Sequence, residues 1–186
     1  MIMAIGGAGS CGKTFLAQKL LERYAVPYIS LDHLKMGLIR GGEPLDVEND
    51  AQITQRLWPV VRGIMEVNIE NHQNIILEGC YLPADELRKL QEKYPGETAF
   101  FCIGFSAAYI NKYFDSRIIK YRNVIETRLY DETRSPEEMI RENGAVKKAV
   151  WKIGSGFLKS ALILIRLFGT FLTGWTGKEK NENSVY

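Results

Sequence analysis

A run reading GGAGSCGKT, Gly6 to Thr14, stands between the apolar segment MIMAI and the helix-forming segment FLAQKLLERY. Four glycines in nine residues build neither a helix nor a strand interior, because ordering glycine costs more entropy than ordering any other residue. The run is therefore a loop, and it joins a short buried strand to a helix. That order of elements directs the chain toward parallel strands linked by helical crossovers.

Gly7 to Thr14 fits G-x-x-x-x-G-K-[ST] at every specified position, through Gly7, Gly12, Lys13 and Thr14, with Ala8, Gly9, Ser10 and Cys11 between them. Each residue type has a physical reason. The glycines let successive backbone N–H groups turn inward as an anion nest, and the helix opening near Lys13 adds its positive end. Lys13 supplies a flexible point charge for the outer phosphates, and the Thr14 hydroxyl is a ligand for Mg²⁺. The chemistry that needs all of these is binding of a nucleoside triphosphate.

Further along, VPYISL, NIILEG and TAFFCIGF read as short buried strands. Helical periodicity predicts helices over Thr14–Tyr24, His33–Arg40, residues 48–71 with a kink at Pro59, and ADELRKLQEKY. A basic, aromatic helical stretch follows from Ser106 to Tyr130. SPEEMIRENG carries Ser135 as N-cap, Pro136 in the first turn, Glu138 closing a capping box and Gly144 as stop. Apolar strands alternating with helices predict an α/β fold, a parallel sheet with helices on both faces. The glycine loop then lies at the carboxyl end of the first strand, where such sheets bind ligands.

Three groups face that position. Asp32 follows the second strand, placed to orient or deprotonate an acceptor hydroxyl, or else to cap a helix starting at His33. Glu78 ends an otherwise apolar strand, where a carboxylate holds Mg²⁺ or forms a strand-end ion pair. Arg117, Arg122, Arg128 and Arg134 follow the fourth strand. Planar guanidinium groups suit a transferring phosphoryl group, and Arg117 and Arg122, early in the segment, are the candidates. The alternative is a solvated helix face on which Glu126, Asp131 and Glu132 pair with them. Arg40 and Arg56 are candidates for an anionic acceptor, and His33 reads as a surface histidine.

The 186 residues carry a net charge of +2, too small to argue for a nucleic-acid partner. Residues 151–186 hold five Lys/Arg against two Asp/Glu, so the basic surplus lies in the tail. Cys11, Cys80 and Cys102 have neither metal-site nor disulfide-framework spacing, which together with a non-secretory start predicts free thiols and a cytoplasmic setting. AVWKIG is the candidate fifth strand. The apolar segment 157–175, with Arg166 inside it, reads as a core or partner-facing helix rather than one touching a membrane.

The set GGAGSCGKT, ISLDHLKMGLIR, IILEGCYLP and the arginine-bearing segment resembles the nucleotide-kinase branch of P-loop proteins, over about residues 1–143. That branch includes adenylate and shikimate kinases and the zeta-toxin and chloramphenicol phosphotransferase group. ILEGCYLP looks like the Asp-Gly-Phe-Pro turn of adenylate kinases, with Glu78 in the aspartate's place. The Asp-x-Asp of shikimate kinases is missing, as is the Asn-Lys-x-Asp guanine signature, so ATP is the expected donor. The resemblance implies a core over residues 1–150 with a helical lid at about 106–134, followed by an atypical tail. The expectation is an ATP- and Mg²⁺-dependent kinase of a small-molecule acceptor, in which Lys13, Asp32, Arg117 and Arg122 act on the reacting groups. Thr14 and Glu78 would hold the metal. The rival expectation is a nucleotide-binding regulatory protein without turnover.

Overall fold

The computed structural model describes residues 1–122, 124–126, 134–152 and 157–159. Strands β1 (Ile2–Gly7), β2 (Tyr28–Ser30), β3 (Ile75–Glu78), β4 (Thr98–Gly104) and β5 (Phe157–Lys159) form one sheet in the order β2-β3-β1-β4-β5. Every pairing is parallel. Helices α1 (Lys13–Tyr24), α2 (Leu31–Arg40), α3 (Asp50–Glu70), α4 (Ala84–Lys93), α5 (Ala107–Tyr113) and α6 (Pro136–Lys152) supply the crossovers, and a π-helical turn, Phe114–Ile119, continues α5.

Strand side chains alternate between faces, and β1 shows the division. Ile2 and Ala4, with Ile75 and Leu77 of β3, pack against Leu31, the α3 side chains Ile53, Leu57, Val61 and Met65, and Leu87 and Leu90 of α4. Met3 and Ile5, with Ile76 and Ile103, pack against Leu16, Ala17 and Leu20 of α1. Both faces are covered, as the unbroken apolar strands require. The expected α/β sheet with helices on both faces is the architecture observed.

Helix α3 keeps residues 53, 57, 61, 65 and 69 buried, one per turn, and Asn49 caps it by accepting from the Gln52 N–H at 3.0 Å. Pro59 does not end this helix: it and Gln55, whose carbonyl loses its partner, both lie on the exposed side. The expected capping box of α6 forms, with Ser135 Oγ accepting from the Glu138 N–H at 3.2 Å and Glu138 Oε2 accepting from the Ser135 N–H at 2.8 Å.

Three expectations change. Gly144 does not stop α6, which continues to Lys152 and takes in residues 149–152 of the expected strand AVWKIG. Asn143 beside it is buried, accepting from the Phe105 N–H and donating to the Met139 carbonyl, both at 2.8 Å. This docking against the end of β4 outweighs the roughly 1 kcal/mol that a mid-helix glycine costs. The fifth strand is instead Phe157–Lys159, where a helix was expected to begin. The remainder of the 157–175 segment lies outside the described residues. The helical stretch expected from Ser106 to Tyr130 ends at Tyr121, running through α5 and the π-helical turn without a break. Among the described residues no helix is long and apolar enough to cross a membrane.

Successive strands after β1 lie first on one side of it and then on the other, so the crevice at the carboxyl end of β1 is the topological switch point. Gly7 closes β1 there with φ 146°. A Cβ on Gly7 would meet the Ile103 carbonyl oxygen at 2.2 Å and Cys11 Sγ at 2.9 Å. Gly7→Ala is therefore expected to lower unfolding stability by about 2–5 kcal/mol. Urea unfolding checks this, and a loss below about 1 kcal/mol would show that β1 and β4 can separate to accept the methyl.

Candidate active site

The loop leaving β1 alternates ordinary backbone with left-handed positions, Ser10 at φ 57° and Gly12 at φ 91°. Such alternation turns successive N–H groups to one side and forms an anion nest. Gly12 is the N-cap of α1 and has no side chain to satisfy the first helical amides, which stay open to an external acceptor. Lys13 opens α1, is only 8% exposed, and donates from Nζ to the Ala8 carbonyl at 2.8 Å, holding the loop closed over itself. Burial disfavours the Lys13 ammonium, yet its neighbours Cys11, Cys80 and Glu78 hold its pKa above the usual lysine value.

Thr14 Oγ1 donates to Glu78 Oε1 at 3.1 Å, joining the first turn of α1 to the end of β3. Glu78 is buried, and that burial pushes its carboxyl above the ordinary range against the pull of Lys13 and Thr14. The oxygen separation is close to the roughly 2.9 Å between adjacent ligands of an octahedral Mg²⁺ with bonds of about 2.0–2.1 Å. One hydroxyl and one carboxylate also match an ion that keeps its waters and takes phosphate oxygens as further ligands. The two residues fit the ion. Among the described residues no cluster of three or more His, Cys, Asp or Glu offers a metal cage.

Asp32 lies in the first turn of α2, which starts at Leu31 rather than His33, so the N-cap position considered for Asp32 falls two residues earlier, on Ser30. One cavity of about 540 Å³ is lined by Asp32, Glu78 and the loop residues Ser10–Thr14, and also by Phe105, Tyr109, Arg117, Ile118, Tyr121 and Arg122. Arg117 and Arg122 thus share that space with the glycine loop. Arg128 lies outside the described residues. Glu126 also lines the cavity and approaches His33 Nε2 at 3.4 Å, a bridge from the segment after the π-helical turn to α2.

Two residues considered for an anionic acceptor are placed elsewhere. Arg56 grips Glu43 in a forked pair, 2.7 Å from Nη2 and 3.1 Å from Nε, and Arg40 is exposed at the end of α2. Neither lines the cavity. Arg134, grouped with the other arginines but not chosen, reaches the loop instead. Its Nη2 donates to Ser10 Oγ and its Nη1 to Glu142 Oε2, both at 2.8 Å. The guanidinium lies beside Gly9, where a Cβ would stand 2.5 Å from Nη1 and would displace it. The available signal was the capping box: it fixes the start of α6 and so holds the residue just before Ser135 at the helix mouth.

The cysteines, spread over ninety residues of sequence, gather here. Cys11 and Cys102 are buried, which raises both thiol pKa values, that of Cys102 to about 12, and leaves them as neutral packing groups. Cys80 is exposed and donates from Sγ to the Gly7 carbonyl at 3.4 Å. All three are free.

No protein-family model matches the chain, and no curated protein matches its sequence. Solved structures do. Shikimate kinase from Bacteroides thetaiotaomicron superposes with a TM-score of 0.56 at 13% identity, covering 95% of this chain and 98% of that one. Shikimate kinase from Acinetobacter baumannii, solved in complex with shikimate, gives 0.54 at 13% identity, covering 97% of this chain and 95% of that one. Identity this low speaks for the fold alone. Taken with the parallel sheet and the glycine loop at its switch point, these likenesses place the chain in the P-loop nucleotide-kinase-like fold.

Proposed function

We propose that this chain is a Mg²⁺-dependent phosphotransferase that moves the γ-phosphoryl group of ATP to a hydroxyl or phosphate of a small-molecule acceptor. One observation carries the reading: a buried lysine, a hydroxyl–carboxylate pair, a further carboxylate and two arginines surround a single cavity. Its volume of about 540 Å³ is in the range that holds small ligands rather than a macromolecule.

The division of labour follows from position. The loop amides and Lys13 hold the β- and γ-phosphates. Thr14 and Glu78 would hold Mg²⁺, which supplies charge neutralisation between the outer phosphates when bound. Asp32 orients the acceptor hydroxyl and accepts its proton as the oxygen attacks phosphorus. Arg117 and Arg122 line the same cavity and neutralise charge spread over the transferring group. Glu126, which also lines it, meets the exposed His33 of α2 at 3.4 Å. Arg134 fixes the loop through Ser10 and Gly9.

Acceptor-stimulated release of ADP, screened across sugars, nucleosides, amino-sugar antibiotics and phosphorylated metabolites, tests the reading. Tight ATP binding without stimulation by any class would favour a nucleotide-binding regulator instead. Lys13→Ala removes a charge-assisted contact worth about 1.5–3 kcal/mol, so ATP affinity should fall roughly 10- to 100-fold in calorimetry. Unchanged affinity would refute the phosphate assignment. Asp32→Asn should leave ATP affinity in place while acceptor-dependent turnover falls about 10²- to 10⁴-fold. Glu78→Gln should raise the Mg²⁺ concentration needed for half-maximal nucleotide binding by roughly 10- to 100-fold, which a Mg²⁺ titration at fixed ATP reads directly.

A further inference from the structure

We infer that Tyr113 is a positioning residue for Arg117, holding its guanidinium toward the phosphate end of the cavity. This rests on the phosphotransferase reading above, and it gives a role to a residue that does not line the cavity itself.

Arg117 is exposed and lines the same cavity as Ser10–Thr14, yet it makes no ion pair among the described residues. Its guanidinium carbon stands 4.4 Å from the centroid of the Tyr113 ring, a cation–π distance. An unpaired arginine on a flexible stem samples many rotamers, and an aromatic plane beneath it removes most of them. The ring is itself fixed from behind. Phe105 stacks on Tyr109 with centroids 4.9 Å apart and planes 17° from parallel, and Tyr109 meets Tyr113 at 4.9 Å with planes at 53°. The aromatic ladder starts at the end of β4, so it carries the position of the sheet out to Arg117.

The backbone agrees. Ile110 and Ile118 are both buried in the same small cluster with Met139. Eight residues of α-helix would separate them by about 80° around the axis. The π-helical turn beginning at Phe114 absorbs one residue, which returns the pair to within about 20° and keeps both against α6. The widened turn is thus anchored on its buried side, while Arg117 on its open side has, among the described residues, the Tyr113 ring to hold it. Lys112 also approaches that ring, at 5.1 Å, but does not line the cavity.

The expected signature is in the discrimination between ATP and ADP, because an arginine aimed at the γ-phosphate contributes to the first and not the second. Calorimetry with Mg²⁺-ATP and Mg²⁺-ADP on the full chain gives the ratio of the two affinities. Tyr113→Leu should lower that ratio about two- to five-fold, the range of an exposed cation–π contact. Tyr113→Phe should keep it, and Lys112→Ala should keep it. Arg117→Ala should lower it at least as far as Tyr113→Leu, and the double variant should match Arg117→Ala alone, since both changes remove one interaction. A ratio unchanged in Tyr113→Leu, or effects of the two variants that multiply, overturns the inference while leaving the phosphotransferase reading in place. Wild-type protein that binds neither nucleotide overturns both. Should Tyr113→Leu not fold, a reduced ratio in Tyr113→Phe alone would equally overturn the role given to the ring.

Discussion

A buried carboxylate at the end of a strand governs much of this structure. Glu78 lies in the middle of the sheet, between the switch-point strand β1 and the edge strand β2, where an uncompensated charge would cost several kcal/mol. What surrounds it is compensation: the Ser30 hydroxyl at the end of β2, the ammonium of Lys13 and the Thr14 hydroxyl each favour its charged form. Lys13 and Thr14 come from the first turn of α1, so one electrostatic requirement ties the start of that helix to the ends of β2 and β3. The glycine loop spans the distance left over. Its left-handed turns follow from having to bring a helix start back over the strand that precedes it.

The same requirement bears on the rest of the site. A carboxylate held partly against its charge by burial is poised to gain a cation, and a hydroxyl at 3.1 Å completes the edge that such a cation would share. The same cavity carries cationic side chains. Arg117 lies in the π-helical turn and Arg122 follows it, so they come from a different part of the fold than the carboxylate at the strand end. Among the described residues, Arg134 to Ser10 and Glu126 to His33 join the chain after β4 to the loop and to α2.

Local chemistry was readable from the sequence; assembly at a distance was not. The loop Gly7–Thr14, the four apolar strands and the Ser135–Glu138 capping box each rest on residues a few positions apart, and those expectations describe the elements found. Asp32 and Glu78 were legible because strand ends in a parallel sheet converge on one edge. The end of α6 was not, because Gly144 is a stop signal only where nothing else holds the helix, and Asn143 holds it from the end of β4. The fifth strand was displaced for the same reason, since the helix took residues that the family resemblance had assigned to it. Arg134 was hidden by its partner, a serine more than a hundred residues away. The gathering of Cys11, Cys80 and Cys102 around Gly7 had no spacing to announce it.

An outermost member of the sheet carries a last consequence. β2, at one border, pairs over only three residues, while the longer strands β1 and β4 lie inside. An open ladder of backbone groups is a template on which a second molecule can extend the sheet, and its length sets how firmly it can do so. With that border trimmed to three residues, accretion of strands from other copies gains little per molecule there. The parallel core can thus be strongly apolar without inviting fibrous self-assembly along the β2 rim.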